Sequence, residues 1–147
     1  MDDTTTRKPA ILLIEDEHFI VELYVRALEK AGYTIKVVVD GVEGLHEAQT
    51  DQYDFILLDI MVPNLTGTEI LKQLRDPALT PKLHAKIIIT TNLEQATEGR
   101  AAIEAQADGY LVKAEITPRQ LVEFLQQFDA HRPTPDAPPE TVESEKA

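Results

Sequence analysis

At 147 residues the chain is of single-domain size, long enough to bury roughly two-thirds of the surface its unfolded form exposes, with no covalent staple. It has no cysteine, which excludes disulfide frameworks, thiolate metal sites and cysteine nucleophiles. Its formal charge is −12, and residues 10–130 hold 20 acids against 10 Lys and Arg, so the folded part is expected to repel anionic lipid and to make no direct nucleic-acid contact.

Residues 1–8 are polar, without periodicity, and read as a flexible lead. Met1-Asp2-Asp3-Thr4 lacks the features of a signal peptide, and no apolar run approaches the roughly 20 residues of a membrane span. A soluble cytoplasmic protein is expected. Ala10-Ile11-Leu12-Leu13-Ile14 is a buried-strand run that ends in Glu15-Asp16-Glu17. Phe19, Ile20, Leu23, Tyr24, Ala27, Leu28 and Ala31 then recur at helical spacing up to Gly32, a helix stop.

The β-branched run Thr34–Val39 predicts a second strand, with Asp40-Gly41 as its turn and a short helix to about Thr50. In the third run, Phe55-Ile56-Leu57-Leu58, four apolar residues lead straight into Asp59, and Pro63-Asn64 turns the chain. Thr66-Gly67-Thr68-Glu69 carries helix-start chemistry, Ile70, Leu71 and Leu74 supply the buried face, and Asp76-Pro77 ends the helix. Lys86–Thr91 is a fourth strand. A weak helix is expected from about Leu93 to Ala107, with Ala96, Ala101, Ala102 and Ala105 on its apolar side and Ile103 as the one large residue. Little apolar area holds such a helix, so motion is expected there. Asp108-Gly109 turns into a short fifth strand, Tyr110–Lys113. The last helix opens with Thr117 as cap and Pro118 at its first position, and buries Leu121, Val122, Leu125 and Phe128. From His131 onward four prolines and many acids predict a disordered tail over 131–147.

Five strand–helix units within residues 9–130 predict an α/β fold with a doubly wound, five-stranded parallel sheet of the flavodoxin-like type, strand order 2-1-3-4-5. The switch point of that order lies between strands 1 and 3, which end in Glu15-Asp16 and in Asp59. Thr91 and Lys113 end strands 4 and 5, so all these polar residues converge on one edge. Three carboxylates around one crevice repel one another unless a cation sits among them. A hard divalent ion such as Mg2+ suits that donor set, Lys113 adds a mobile positive charge, and Thr91 a hydroxyl. A carboxylate, a metal and a lysine describe phosphoryl transfer onto Asp59 as nucleophile. His18, His46, His84 and His131 have no metal-ligand spacing and read as surface residues.

Leu13-Ile14-Glu15-Asp16-Glu17, Leu57-Leu58-Asp59-Ile60-Met61-Val62-Pro63, Ile88-Ile89-Thr90-Thr91 and Ala107-Asp108-Gly109-Tyr110-Leu111-Val112-Lys113, in this order and on these strands, resemble the receiver domain of two-component response regulators. The resemblance covers about residues 9–130. It implies that Asp59 is the phosphoacceptor, that Glu15 and Asp16 serve Mg2+ with the backbone carbonyl of Met61 as a further ligand, and that Lys113 contacts the phosphoryl group. The family spacing of 22 to the lysine fits Thr91, not Thr90, as the switch hydroxyl, and Tyr110 falls at the switch aromatic. The implied donor is a histidine kinase or histidine phosphotransfer protein. Output is expected from a stand-alone domain, by docking or homodimerisation through the face of helix 4, strand 5 and helix 5.

Two positions depart from the family pattern. Ala114 stands where a proline usually follows the lysine; a cis bond before a non-proline costs about 2.5–4 kcal/mol, so a trans bond and a reshaped last loop are expected. Asn92 stands where a small residue usually follows the switch threonine. The other readings are a degenerate receiver acting as a phosphorylation-independent interaction module, and a haloacid-dehalogenase-like Mg2+ phosphatase. The phosphatase wants a second Asp two residues after the nucleophile, and position 61 is Met. A flavin or nucleotide module is disfavoured because Glu15-Asp16-Glu17 offers no glycine-rich phosphate cradle.

Overall fold

Among the residues that the computed structural model describes, 8–92 and 99–130, every apolar run of the sequence is a strand. The elements are β1 (Ala10–Ile14), α1 (His18–Lys30), β2 (Thr34–Val38), α2 (Gly41–Ala48), β3 (Phe55–Asp59), α3 (Gly67–Arg75), β4 (Lys86–Thr91), α4 (Arg100–Gln106), β5 (Gly109–Val112) and α5 (Pro118–Ala130), with a 3-10 turn at Lys113–Glu115. The strands form one parallel sheet in the order β2-β1-β3-β4-β5. The chain therefore has the doubly wound α/β fold that its alternating pattern predicts.

Strand alternation divides the core in two. Leu12, Ile14, Ile56, Leu58, Ile87 and Ile89 face one way, against Leu45 of α2, Ile70 and Leu71 of α3 and Ile103 of α4. Ile11, Leu13, Phe55, Leu57 and Ile88 face the other way, against Tyr24 and Leu28 of α1 and Leu121 and Leu125 of α5. Phe55 also meets Tyr33 and Phe128 edge-on, with ring centroids 6.1 and 5.9 Å apart. Each fully buried Leu, Ile or Phe contributes about 1.5–3 kcal/mol, so burial on both faces carries the sheet.

The starts of α2, α3 and α5 are set by side-chain caps. Thr66 and Glu69 close a reciprocal capping box on α3, Thr117 and Gln120 do the same for α5, and Asp40 accepts from Glu43 N to open α2. In α1 the apolar stripe is wider than the buried face: Tyr24 and Leu28 are buried, but Phe19 is 65% and Leu23 37% exposed. The first turn of α1 follows directly on the loop after β1, at the carboxyl edge of the sheet, where the strands give out beneath it.

At the opposite edge the buried carboxyl of Asp54 fastens two strand starts. Its Oδ2 accepts from Ala10 N at 2.8 Å, and its Oδ1 lies 3.6 Å from His84 Nε2. His84 Nδ1 lies 3.0 Å from Asp51 Oδ1; this histidine is at the surface, as expected, yet paired with two acids.

Of the fourth helix expected from Leu93, residues 93–98 lie outside the described residues, as do 1–7 of the expected lead and the expected tail 131–147. The described part, α4, buries Ile103 and exposes Ala101, Ala102 and Ala105. β5 begins one residue before the expected start, and Lys113 opens the 3-10 turn instead of ending the strand. No cis peptide occurs among the described residues, so the Lys113–Ala114 bond is trans.

Candidate functional site

Glu15 directly follows β1, Asp59 is the last residue of β3, and Lys113 directly follows β5, so three strand ends deliver their side chains to the carboxyl edge. All three are buried: Glu15 is 0%, Asp59 3% and Lys113 8% exposed. Lys113 Nζ stands 2.7 Å from Glu15 Oε1, 3.3 Å from Asp59 Oδ1 and 3.7 Å from Glu17 Oε1. Asp59 Oδ1 also accepts from Met61 N at 3.3 Å, and Glu15 Oε2 accepts from Glu17 N at 3.1 Å. The start of α3 closes on this corner: Gly67 N donates to Ile60 O at 2.7 Å, and a Cβ on Gly67 would run into the Asp59 carbonyl oxygen.

Two buried carboxylates thus share one ammonium. Burial, reinforced by the charge of Asp59, pushes the Glu15 carboxyl up to about 7, although Lys113 pulls the other way. Burial also works against the Lys113 charge, but the Glu15 and Asp59 carboxylates outweigh it and its pKa is raised. Tyr24 of α1 feels the same cluster: burial and the charges of Glu15, Asp59 and Glu17 push its phenol up to about 12. Glu15 Oε1 is the oxygen nearest Lys113, yet no donor reaches it in hydrogen-bonding geometry, so that pair is held by charge.

Exposed Asp16 completes the group: one oxygen each of Glu15, Asp16 and Asp59 lie within 4.8 Å of one another. An all-oxygen donor set with an excess of negative charge over the one ammonium fits a hard divalent cation such as Mg2+. The structure therefore brings together Glu15, Asp16, Asp59 and Lys113, four of the residues named from the sequence. It adds Glu17, whose carboxylate also approaches the ammonium and which sequence reasoning treated only as part of the turn.

Thr91, fully buried at the end of β4, sits at the same edge, but alternation with Ile87 and Ile89 turns it to the opposite face from Asp59. Its hydroxyl donates to the Asn92 carbonyl at 3.2 Å. Tyr110, on the neighbouring strand, packs against that same face, and the Arg100 guanidinium lies 4.4 Å from its ring centroid, a cation–π contact. Nothing in the sequence pattern pointed to Arg100.

Comparison with known proteins places the fold. The model of the response regulator receiver domain family matches residues 11–126, and the chain belongs to that family. Among curated proteins it is 38% identical over 103 residues to the response regulator ArlR of Staphylococcus saprophyticus, covering 70% of this chain and 44% of that one. It is 37% identical over 111 residues to the alkaline phosphatase synthesis transcriptional regulatory protein PhoP of Bacillus subtilis, covering 76% and 44%. The chain thus spans less than half the length of these two relatives. Among solved structures, the receiver domain of the Francisella response regulator 1452 matches with a TM-score of 0.71 at 26% identity, over 84% of this chain and 99% of that one. A CheY-like receiver domain from Methylobacillus flagellatus matches with a TM-score of 0.68 at 29% identity, over 82% and 98%. The chain is thus a two-component response regulator receiver domain. Among the described residues no helix is long and apolar enough to cross a membrane.

Proposed function

We propose that the domain takes a phosphoryl group onto Asp59 from a phosphohistidine of a histidine kinase or phosphotransfer protein, in the cytoplasm. The observation that carries this reading is the buried Asp59 carboxylate 3.3 Å from the buried Lys113 ammonium, beside two further acids. An Asp59 carboxylate oxygen attacks phosphorus, the P–N bond to the donor imidazole breaks, and the imidazole leaves with that electron pair. The product is an acyl phosphate. Lys113 neutralises a phosphoryl oxygen, and Thr91 turns its hydroxyl toward the group while Tyr110 follows as the switch aromatic. Glu15, Asp16, Asp59 and the Met61 carbonyl would hold Mg2+, which when bound neutralises charge on the transferred group.

The added charge then biases a two-state element. Output passes through the face of α4, β5 and α5, to a protein partner or a second copy; the thin apolar anchoring of α4 on Ile103 supports a movable element there. The domain is read as a signalling module that phosphorylates and dephosphorylates itself, not as a turnover enzyme. The phosphatase reading lacks its general acid, since Met61 stands two residues after Asp59. The relatives' names include a transcriptional regulator, but the acid excess of residues 10–130 argues that this domain itself makes no nucleic-acid contact.

Incubation with Mg2+ and acetyl phosphate, followed by intact mass, tests the reading: one phosphoryl adduct is expected on the native chain and none on Asp59→Asn. No adduct on the native chain, or an undiminished one on the variant, overturns it and leaves a phosphorylation-independent interaction module.

A further inference from the structure

Among the described residues, two buried side-chain oxygens have no hydrogen-bond partner: Glu15 Oε1 and the hydroxyl of Thr90. The fold brings them to one place. Thr90 is the register partner of Asp59, and it alternates onto the face of Ile88, as Asp59 does onto that of Phe55 and Leu57. β1 and β5 flank the β3–β4 pair. Glu15 from the β1 end and Lys113 from the β5 end approach to 2.7 Å, so they must meet above β3 and β4. By the register Glu15 is level with Asp59 and Asp59 with Thr90, while Lys113, two residues beyond Thr90's partner Leu111, reaches back over β4 to meet Glu15.

Thr90 is 1% exposed, so solvent does not serve its hydroxyl, and a buried hydroxyl without a partner lowers stability where an isosteric valine would not. The Thr90 hydroxyl can donate, and Glu15 Oε1, when ionised, can accept from it as well as from the Lys113 ammonium. What separates them functionally is Lys113, whose charge now answers Glu15.

We propose that Thr90 is a positioning residue for phosphoryl transfer: when Lys113 turns from Glu15 to a phosphoryl oxygen on Asp59, the Thr90 hydroxyl donates to Glu15 Oε1 in its place. The inference rests on Asp59 being the phosphoacceptor. The unphosphorylated state carries the unpaired hydroxyl and the phosphorylated state gains a charge-assisted hydrogen bond, so both effects favour phosphorylation. The proposed switch role stays with Thr91, its neighbour on the other face.

The test compares the full native chain with Thr90→Val and Thr90→Ser, reading the melting temperature and the affinity for beryllofluoride, a phosphoryl mimic, in the presence of Mg2+. Thr90→Val is expected to melt at or above the native temperature yet bind beryllofluoride about tenfold more weakly, and Thr90→Ser to match the native chain in affinity. Native affinity in Thr90→Val overturns the proposal. So does a melting temperature of Thr90→Val below native, which would mean that the hydroxyl is already bonded, or a serine variant as weak as the valine one. A native chain that binds no beryllofluoride overturns the phosphoacceptor reading and this inference with it; native binding lost in Asp59→Asn but kept in Thr90→Val overturns this inference alone.

Discussion

Glu15 is where the site answers to pH. Its carboxyl is ordinary at about 4.5 in the unfolded chain and raised to about 7 by burial in the fold. Between those values the native protein holds a proton that the unfolded chain has released, so the stability this group contributes is full below about 4.5 and lost as pH rises through about 7. Urea unfolding at pH 4.5 and 7.5 should show the native chain losing stability relative to Glu15→Gln as pH rises. Lys113 is the complementary case. Lys113→Met leaves Glu15 and Asp59 buried without their shared cation, and at pH 7.5 the unfolding free energy should fall by about 3–5 kcal/mol. Glu15, Asp59 and Lys113 were legible in the sequence because each interrupts an apolar run at the carboxyl end of a strand. Thr90 was not, because a threonine inside a β-branched run looks like any strand former; only the register shows that it sits beside Asp59.

At the scale of elements, what the sequence showed least well was how helices meet the sheet edge. The periodic positions of α1 included Phe19 and Leu23, which the structure exposes, because a stripe read from spacing does not say where the sheet beneath it ends. Gly67 at the start of α3 read as helix-start chemistry, whereas its role is close approach to the end of β3. A Cβ there would stand 2.7 Å from Ile60 Cα, so Gly67→Ala should cost about 1–3 kcal/mol and slow phosphorylation by acetyl phosphate, as the shifted loop moves Asp59. Arg100, at the head of α4, covers the Tyr110 ring and also pairs with Glu104 at 2.8 Å. Arg100→Ala should cost no more than about 1 kcal/mol of stability while changing the aromatic NMR signals of Tyr110, since its ring loses its lid.

For the molecule as a whole, the topology was legible because five apolar runs separated by helical stretches leave few ways to wind one parallel sheet. The gathering of acids at one edge followed from it. A cation bound by the folded site and not by the unfolded chain stabilises the fold in proportion to its occupancy, by about 2.7 kcal/mol at a hundred times its Kd. Millimolar MgCl2 should therefore raise the melting temperature above that in NaCl of equal ionic strength, and Asp16→Asn should reduce the difference. The two ends of β3 make a contrast that bears on how such a domain transmits a signal. Asp54 and Asp59 are both buried acids, about 17 Å apart along an extended strand. Asp54 is bonded to the backbone of β1 and flanked by His84, while Asp59 shares a cation with Glu15. Asp54 is a rivet and, on the proposed function, Asp59 a reagent; a chemical event at Asp59 would then act on a beam already clamped at its far end, and displacement would be directed into the loops and helices around the carboxyl edge.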